Sequence, residues 1–290
     1  MPNNRFLYVT IFITLFISLL SCSKSSLKVD VPAFLIVDSI NVTTTPSFQG
    51  TSSSKISDVW VYIDGNQEGV FELPAKIPII KEGNQNIELF PGIKKDGGSN
   101  SREVYPFYEQ YISNANFIKE DSITINPTLT YKSNINFWLE RFEDPSIKFS
   151  TIDTSMTGLI RIDKNEGAFE GNYSGKLEFL KNENVNEIIT SQKFDFPQQG
   201  TPVYIEMNYT NTTNLRVFIE IDNNGNKAKY DIVYLYPKAY WNKIYLDLTY
   251  ITSFNANASF FEIGYGISND KNIDDDYAII DEIKLLRYEQ

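Results

Sequence analysis

The stretch Asp58–Leu73, "DVWVYIDGNQEGVFEL", decides the fold. Its apolar residues alternate on both sides of Asp64-Gly65, a dipeptide suited to the positive φ angles of a two-residue hairpin turn. Outward from it, short alternating or wholly apolar runs recur, parted by Gly, Asn, Asp and Pro, and no long segment after the first thirty residues has helical spacing. Ile, Val, Thr, Tyr and Phe dominate, which is the composition of strands. The chain is expected to be all-β, and its 290 residues suffice for two modest cores. A break at Tyr131 to Asn134 separates the strand-like "SITINPTLTY" from "INFWLERFEDP" and sets the expected units at 31–132 and 134–290.

Charge and composition exclude several classes of function. The net charge is −11; all 37 acidic residues lie from Asp30 onward, and three of the 26 basic ones precede it. Such a surface repels nucleic acid. Histidine is absent, which removes Ser-His-Asp and Cys-His catalysis and histidine zinc sites. A glycosidase needs two carboxylates roughly 5 to 9 Å apart across a cleft, and the sequence gives no positive sign of such a pair. A non-catalytic protein is expected.

The chain opens with "MPNNRFLYVTIFITLFISLLSC": Arg5, then an uncharged apolar run from Phe6 to Leu20, the layout of a secretory signal. Fifteen helical residues reach about 22 Å, short of the roughly 30 Å hydrocarbon core, so a permanent span is disfavoured. Leu19-Leu20-Ser21-Cys22 resembles the lipobox of bacterial lipoproteins. That resemblance implies a signal peptide over 1–21, acylation of Cys22, the one cysteine, and a tether over 22–30. An ordinary signal peptide with a stray thiol is the alternative. Two or three acyl chains suffice for stable membrane residence. Ser23 after the cysteine favours the outer membrane, with the periplasmic or surface face left open.

Within 31–132, the positions Val61, Ile63, Asp64, Gly65, Gly69, Pro74, Ile77, Pro78, Gly83, Ile87 and Leu89 resemble the PEGA modules of bacterial envelope proteins. Leu73 and "FPGIKKDGG" depart from that pattern. The resemblance implies a small β module and no activity; in the reading of the whole chain it acts as a spacer. Four aromatics in "EVYPFYEQYI" are expected in core and rim.

Within 134–290, three landmarks resemble the galactose-binding-like jelly rolls, a β-sandwich group that includes many carbohydrate-binding modules. They are Phe142-Glu143-Asp144, then Gly171, Tyr173, Ser174, Gly175 and Lys176, and finally Ile280-Asp281-Glu282-Ile283. The resemblance implies a jelly-roll sandwich and a structural calcium held by Glu143 and Asp281, with Gly171 and Ser174 supplying backbone oxygen. Edge-strand polar residues facing water are the alternative reading. The acidic run of Asp270, Asp274, Asp275 and Asp276 lacks the order of a calcium loop and reads as solvated.

Glycan binding needs an exposed aromatic face with amides or carboxylates beside it. Tyr236, Tyr240 and Trp241 in "VYLYPKAYWNKIYL", with Asn242 and Glu206 as polar partners, are the residues that could supply it. Trp241 also reads as a core filler. The chain as a whole resembles an envelope lipoprotein of Bacteroidetes type. Two functions are open: a non-catalytic accessory subunit docked on another envelope protein, or a surface lipoprotein that captures polysaccharide.

Overall fold

The computed structural model describes residues 30–180, 182–269 and 275–289; Cys22 and its signal segment, together with Asp270 and Asp274, lie outside them. The chain is all-β, as expected. Its α-helices among the described residues are two short ones, Pro46–Gln49 and Thr249–Phe254.

The opening hairpin forms as read. Strands Asp58–Ile63 and Asn66–Glu72 pair antiparallel with Ile63 opposite Asn66. Asp64 and Gly65 take φ of 50° and 72°, the left-handed pair that a tight hairpin turn requires. Gly83–Lys94 pairs along the other side of Asp58–Ile63, and its own far edge carries Tyr111–Phe117 and Arg102–Val104. A three-stranded sheet of Ala75–Ile79, Ala33–Val37 and Ser122–Thr124 contributes to the same core. Leu35, Val37, Val59, Val61, Ile63, Ile77, Ile87 and Leu89 meet there, all fully buried. Each contributes about 1.5–3 kcal/mol relative to exposure.

Beyond Asn134 two antiparallel sheets form a β-sandwich. One runs Leu159–Asp163, Tyr173–Glu178, Tyr277–Tyr288, Val203–Asn211, Lys238–Asp247, with Ile135–Glu140 also paired to Tyr277–Tyr288. The other runs Phe149–Thr151, Val185–Thr190, Phe260–Ser268, Leu215–Asn223, Asn226–Leu235. Inward residues of both, such as Ile205, Met207, Val217, Ile219, Ile263 and Ile280, form the largest core. The edge strands Asn226–Leu235 and Lys238–Asp247 belong to different sheets and are joined only by Tyr236-Pro237. Proline, which has no N–H for a ladder, marks the crossing.

A third cluster joins the two parts. Tyr105, Phe107, Tyr108 and Tyr131 from one side pack on Tyr204, Tyr245 and Leu286 from the other. Tyr105 makes edge-on contacts with Tyr108, Tyr204 and Tyr245 at centroid distances of 4.7, 5.6 and 4.9 Å. Three of the four aromatics of "EVYPFYEQYI", Tyr105, Phe107 and Tyr108, are therefore spent on this seam, while Tyr111 packs on the first core.

At the centre of the seam sits Glu206, with no exposed surface. The hydroxyls of Tyr105 and Tyr131 donate to its Oε1 at 2.8 and 2.7 Å, and Lys243 Nζ lies 2.9 Å from Oε2. Lys284 is its cross-strand neighbour. Burial alone would raise the carboxyl's pKa, but Lys243, Lys284 and the Tyr131 bond outweigh it and lower it. The cost falls on the partners: burial brings Lys284 down to about 8 and pushes the Tyr105 and Tyr131 phenols well up. Glu206 was expected beside a ligand; the structure corrects this. It lies on a strand paired on both sides whose outer face is covered by the first part of the chain.

Removing Glu206 strands two buried ammonium groups. Glu206→Ala is expected to lower the free energy of unfolding by about 3–5 kcal/mol. Urea denaturation reads it, and a loss below about 1 kcal/mol would show that the seam does not depend on this charge.

Candidate functional site

The sandwich edge where Tyr236-Pro237 crosses between sheets faces the first part of the chain, and a cleft of about 460 Å³ opens there. Tyr236 and Tyr240 stand at it 73% and 65% exposed, and Tyr234 is 48% exposed. Such exposure is unusual for rings that could have joined a core, and it leaves aromatic faces available for stacking. Asn242 lies deeper. Its Nδ2 donates to the Tyr209 hydroxyl at 3.0 Å, and its Oδ1 accepts from Lys55 Nζ. The Lys55 backbone N–H donates to the Tyr245 hydroxyl at 2.9 Å, so the wall and the floor are tied together.

The opposite wall is the turn after strand Gly83–Lys94. Asp96 N donates to Tyr245 O at 2.8 Å, and Asp247 N donates back to Asp96 Oδ1 at 2.9 Å. Gly97 has φ 72°, and a Cβ there would lie 3.2 Å from Ile244 Cδ1, so the turn approaches the sandwich edge as closely as glycine permits.

Of the residues read as ligand contacts, Tyr236, Tyr240 and Asn242 are brought together in this cleft. Trp241 is half-buried, with its ring tilted against Phe169 at 4.9 Å, and is not among the cleft-lining residues. Glu206 is in the seam. The sequence reading missed Lys55, Lys94 and Lys238, which also line the cleft. Lys55 is 187 residues from Asn242, so no local pattern could have paired them.

The residues read as calcium ligands do come together, but with hydrogen donors facing their oxygens. Glu143 Oε1 accepts from the backbone N–H of Asn172 and Tyr173 at 2.6 and 3.0 Å, and Oε2 accepts from Asn172 Nδ2 at 3.0 Å. These bonds hold its carboxyl below the usual range despite the opposing effect of burial. Gly171, at φ 60°, permits the approach: a Cβ there would sit 2.2 Å from Glu143 Oε1. Asp281 Oδ2 accepts from Ser174 Oγ and Glu170 N at 2.8 and 3.1 Å, and its Oδ1 accepts from Glu282 N at 2.7 Å. Burial pushes the Asp281 carboxyl up to about 7. The carbonyls of Phe142 and Glu143 are taken by Arg161 Nε and Nη2 at 2.6 and 2.9 Å, with the guanidinium over the Tyr173 ring. No group of three acidic or cysteine side chains suited to a metal occurs among the described residues. The arrangement does not fit calcium.

No protein-family model matches the chain, and no curated protein does. Solved structures match parts of it. TmCBM61 in complex with beta-1,4-galactotriose is 13% identical with a TM-score of 0.31, over 48% of this chain and 86% of that one. A family 29 carbohydrate-binding module is 9% identical at 0.34, over 53% and 88%. An adhesin domain of Lys-gingipain from Porphyromonas gingivalis is 11% identical at 0.38, over 52% and 98%.

Because its oxygens are already bonded by the protein's own N–H and O–H groups, the Glu143–Asp281 cluster is expected to be indifferent to calcium. Millimolar calcium or chelator should move Tm by less than about 1 °C in differential scanning calorimetry; a saturable rise of several degrees would reveal a bound ion.

Proposed function

We propose that this protein is a non-catalytic, lipid-anchored glycan-binding protein of a bacterial outer membrane, and that the cleft at the sandwich edge is its binding site. The observation that carries the reading is the grouping of exposed Tyr236 and Tyr240 with the amide of Asn242 at a cleft of about 460 Å³. That volume lies within the common range of small-ligand sites, about 300–1,000 Å³. Tyrosine rings offer apolar faces to the C–H faces of sugars, while amide and ammonium donors meet hydroxyls. Residues 31–132 supply more than spacing in this reading, since one wall of the cleft is theirs. Acyl chains on Cys22 would hold the protein at the membrane.

The second reading, docking onto an envelope protein, has one observation in its favour. Tyr250 and Phe254, 79% and 77% exposed, stack at 6.0 Å on the helix Thr249–Phe254.

Tyr240→Ala is expected to weaken glycan binding about tenfold or more, with Tm unchanged, because a stacked aromatic contributes about 1 kcal/mol beyond its buried area. Isothermal titration calorimetry on a glycan identified by array reads this; undiminished affinity would move the site elsewhere. Anchoring is tested separately. Cys22→Ala is expected to leave the envelope fraction after a high-salt wash, and intact-mass analysis of the native protein is expected to find acyl chains on Cys22. A bare thiol there would remove the anchor.

A further inference from the structure

The cleft reverses the sign of the molecule around it. The whole chain carries −11, yet Lys55, Lys94, Lys238 and Lys243 line the cleft against a single carboxylate, Asp96. Two of these lysines are already satisfied: Lys94 pairs with Glu72 at 2.8 Å and Lys243 with Glu206 at 2.9 Å. Among the described residues Asp96 forms no ion pair with the remaining two, and its Oδ1 accepts the Asp247 backbone N–H at 2.9 Å.

Those two are Lys55 and Lys238, and among the described residues neither forms an ion pair. Lys55 spends one of its three N–H donors on Asn242 Oδ1. The other two have no acceptor among the described residues. Lys238 Nζ stands 5.8 Å from the centre of the Tyr240 ring, on the platform itself. Partial loss of solvent, then repulsion from Lys238 and Lys94, lowers the Lys55 pKa. A protein rich in carboxylates has thus left two ammonium groups together, unneutralised, beside its exposed tyrosines. A ligand anion would complete them.

We propose that the cleft selects acidic glycans bearing sparse carboxylates, of the uronate-containing class, and that Lys55 and Lys238 confer that selectivity; this rests on the glycan-binding reading above. Carboxylates spaced along a sugar chain can meet the two lysines without bringing a dense charge against the acidic body. A heavily sulfated chain would meet the long-range repulsion of that body. The tyrosines then bind the sugar rings and the lysines read the charge.

The test uses the full-length protein in detergent on an array of uronate oligosaccharides, their methyl esters, neutral oligosaccharides and heparin fragments. Uronate hits, with their methyl esters bound about tenfold more weakly, are expected. Neutral hits alone, or equal affinity for acid and ester, would overturn the inference while leaving the glycan reading in place. Preference for heparin fragments would overturn the sparse-carboxylate selectivity. An array without any hit would remove both readings. On the best uronate hit, Lys238→Gln and Lys55→Gln are each expected to weaken binding about tenfold at unchanged Tm. About 0.5 M NaCl should shrink the acid-over-ester preference, because exposed charges are screened at that strength. Unchanged affinity in both variants would overturn the role assigned to the lysines.

Discussion

The buried carboxylate of Glu206 sets the relation between the two parts of the chain. An isolated anion in such a place would cost several kcal/mol, so the fold surrounds it with two phenols and two ammonium groups. The phenols, Tyr105 and Tyr131, come from one part, while the carboxylate and the ammonium groups come from the other. Neither set is satisfied without its counterpart. A second tie runs beside it: Thr51 donates its N–H to Glu282 Oε2 at 2.9 Å and accepts from Lys284 Nζ at 2.6 Å through its carbonyl. Polar contacts of this kind fix orientation more sharply than apolar packing, because each lost partner leaves a buried charge or donor exposed to the low dielectric of the seam.

The same residues that close the seam also build the cleft. Lys243 pairs with Glu206 at one end and lines the cleft with its stem. The Tyr245 ring packs on Tyr105, its hydroxyl holds the Lys55 backbone, and its carbonyl receives Asp96 N–H. The two walls therefore cannot shift independently of the buried charge. A cleft whose walls are tied together by these contacts is organised before any ligand arrives, which lowers the entropic cost of binding.

What the sequence reveals here follows the range of the interactions. The Asp64-Gly65 turn and the alternation around it are local, and the hairpin appears in the expected register. The exposed pair Tyr236 and Tyr240 is also signalled locally, since Pro237 interrupts two tyrosine-rich strands. Glu206, read as a polar partner of the exposed tyrosines, lies between Ile205 and Met207, and its burial depends on contacts distant in sequence. In this strand both faces are covered, one by the sandwich core and the other by aromatics 75 and 101 residues away. At the residues read as calcium ligands, the carboxylates of Glu143 and Asp281 accept from backbone N–H groups, and Arg161, outside that set, holds the neighbouring Phe142 and Glu143 carbonyls.

Electrostatics gives the cleft its distinct chemical character. Elsewhere on the molecule several lysines and arginines are paired: Arg216 and Lys229 with Glu187, Lys227 with Glu220 and Glu262, Arg102 with Asp58 and Glu72. Among the described residues other lysines also stand outside ion pairs; what sets Lys55 and Lys238 apart is their place beside the same exposed tyrosines. Repulsion between Lys55, Lys238 and Lys94 is a standing cost of this arrangement. The fold carries that cost where exposed aromatic rings, the amide of Asn242 and two walls from separate parts of the chain converge.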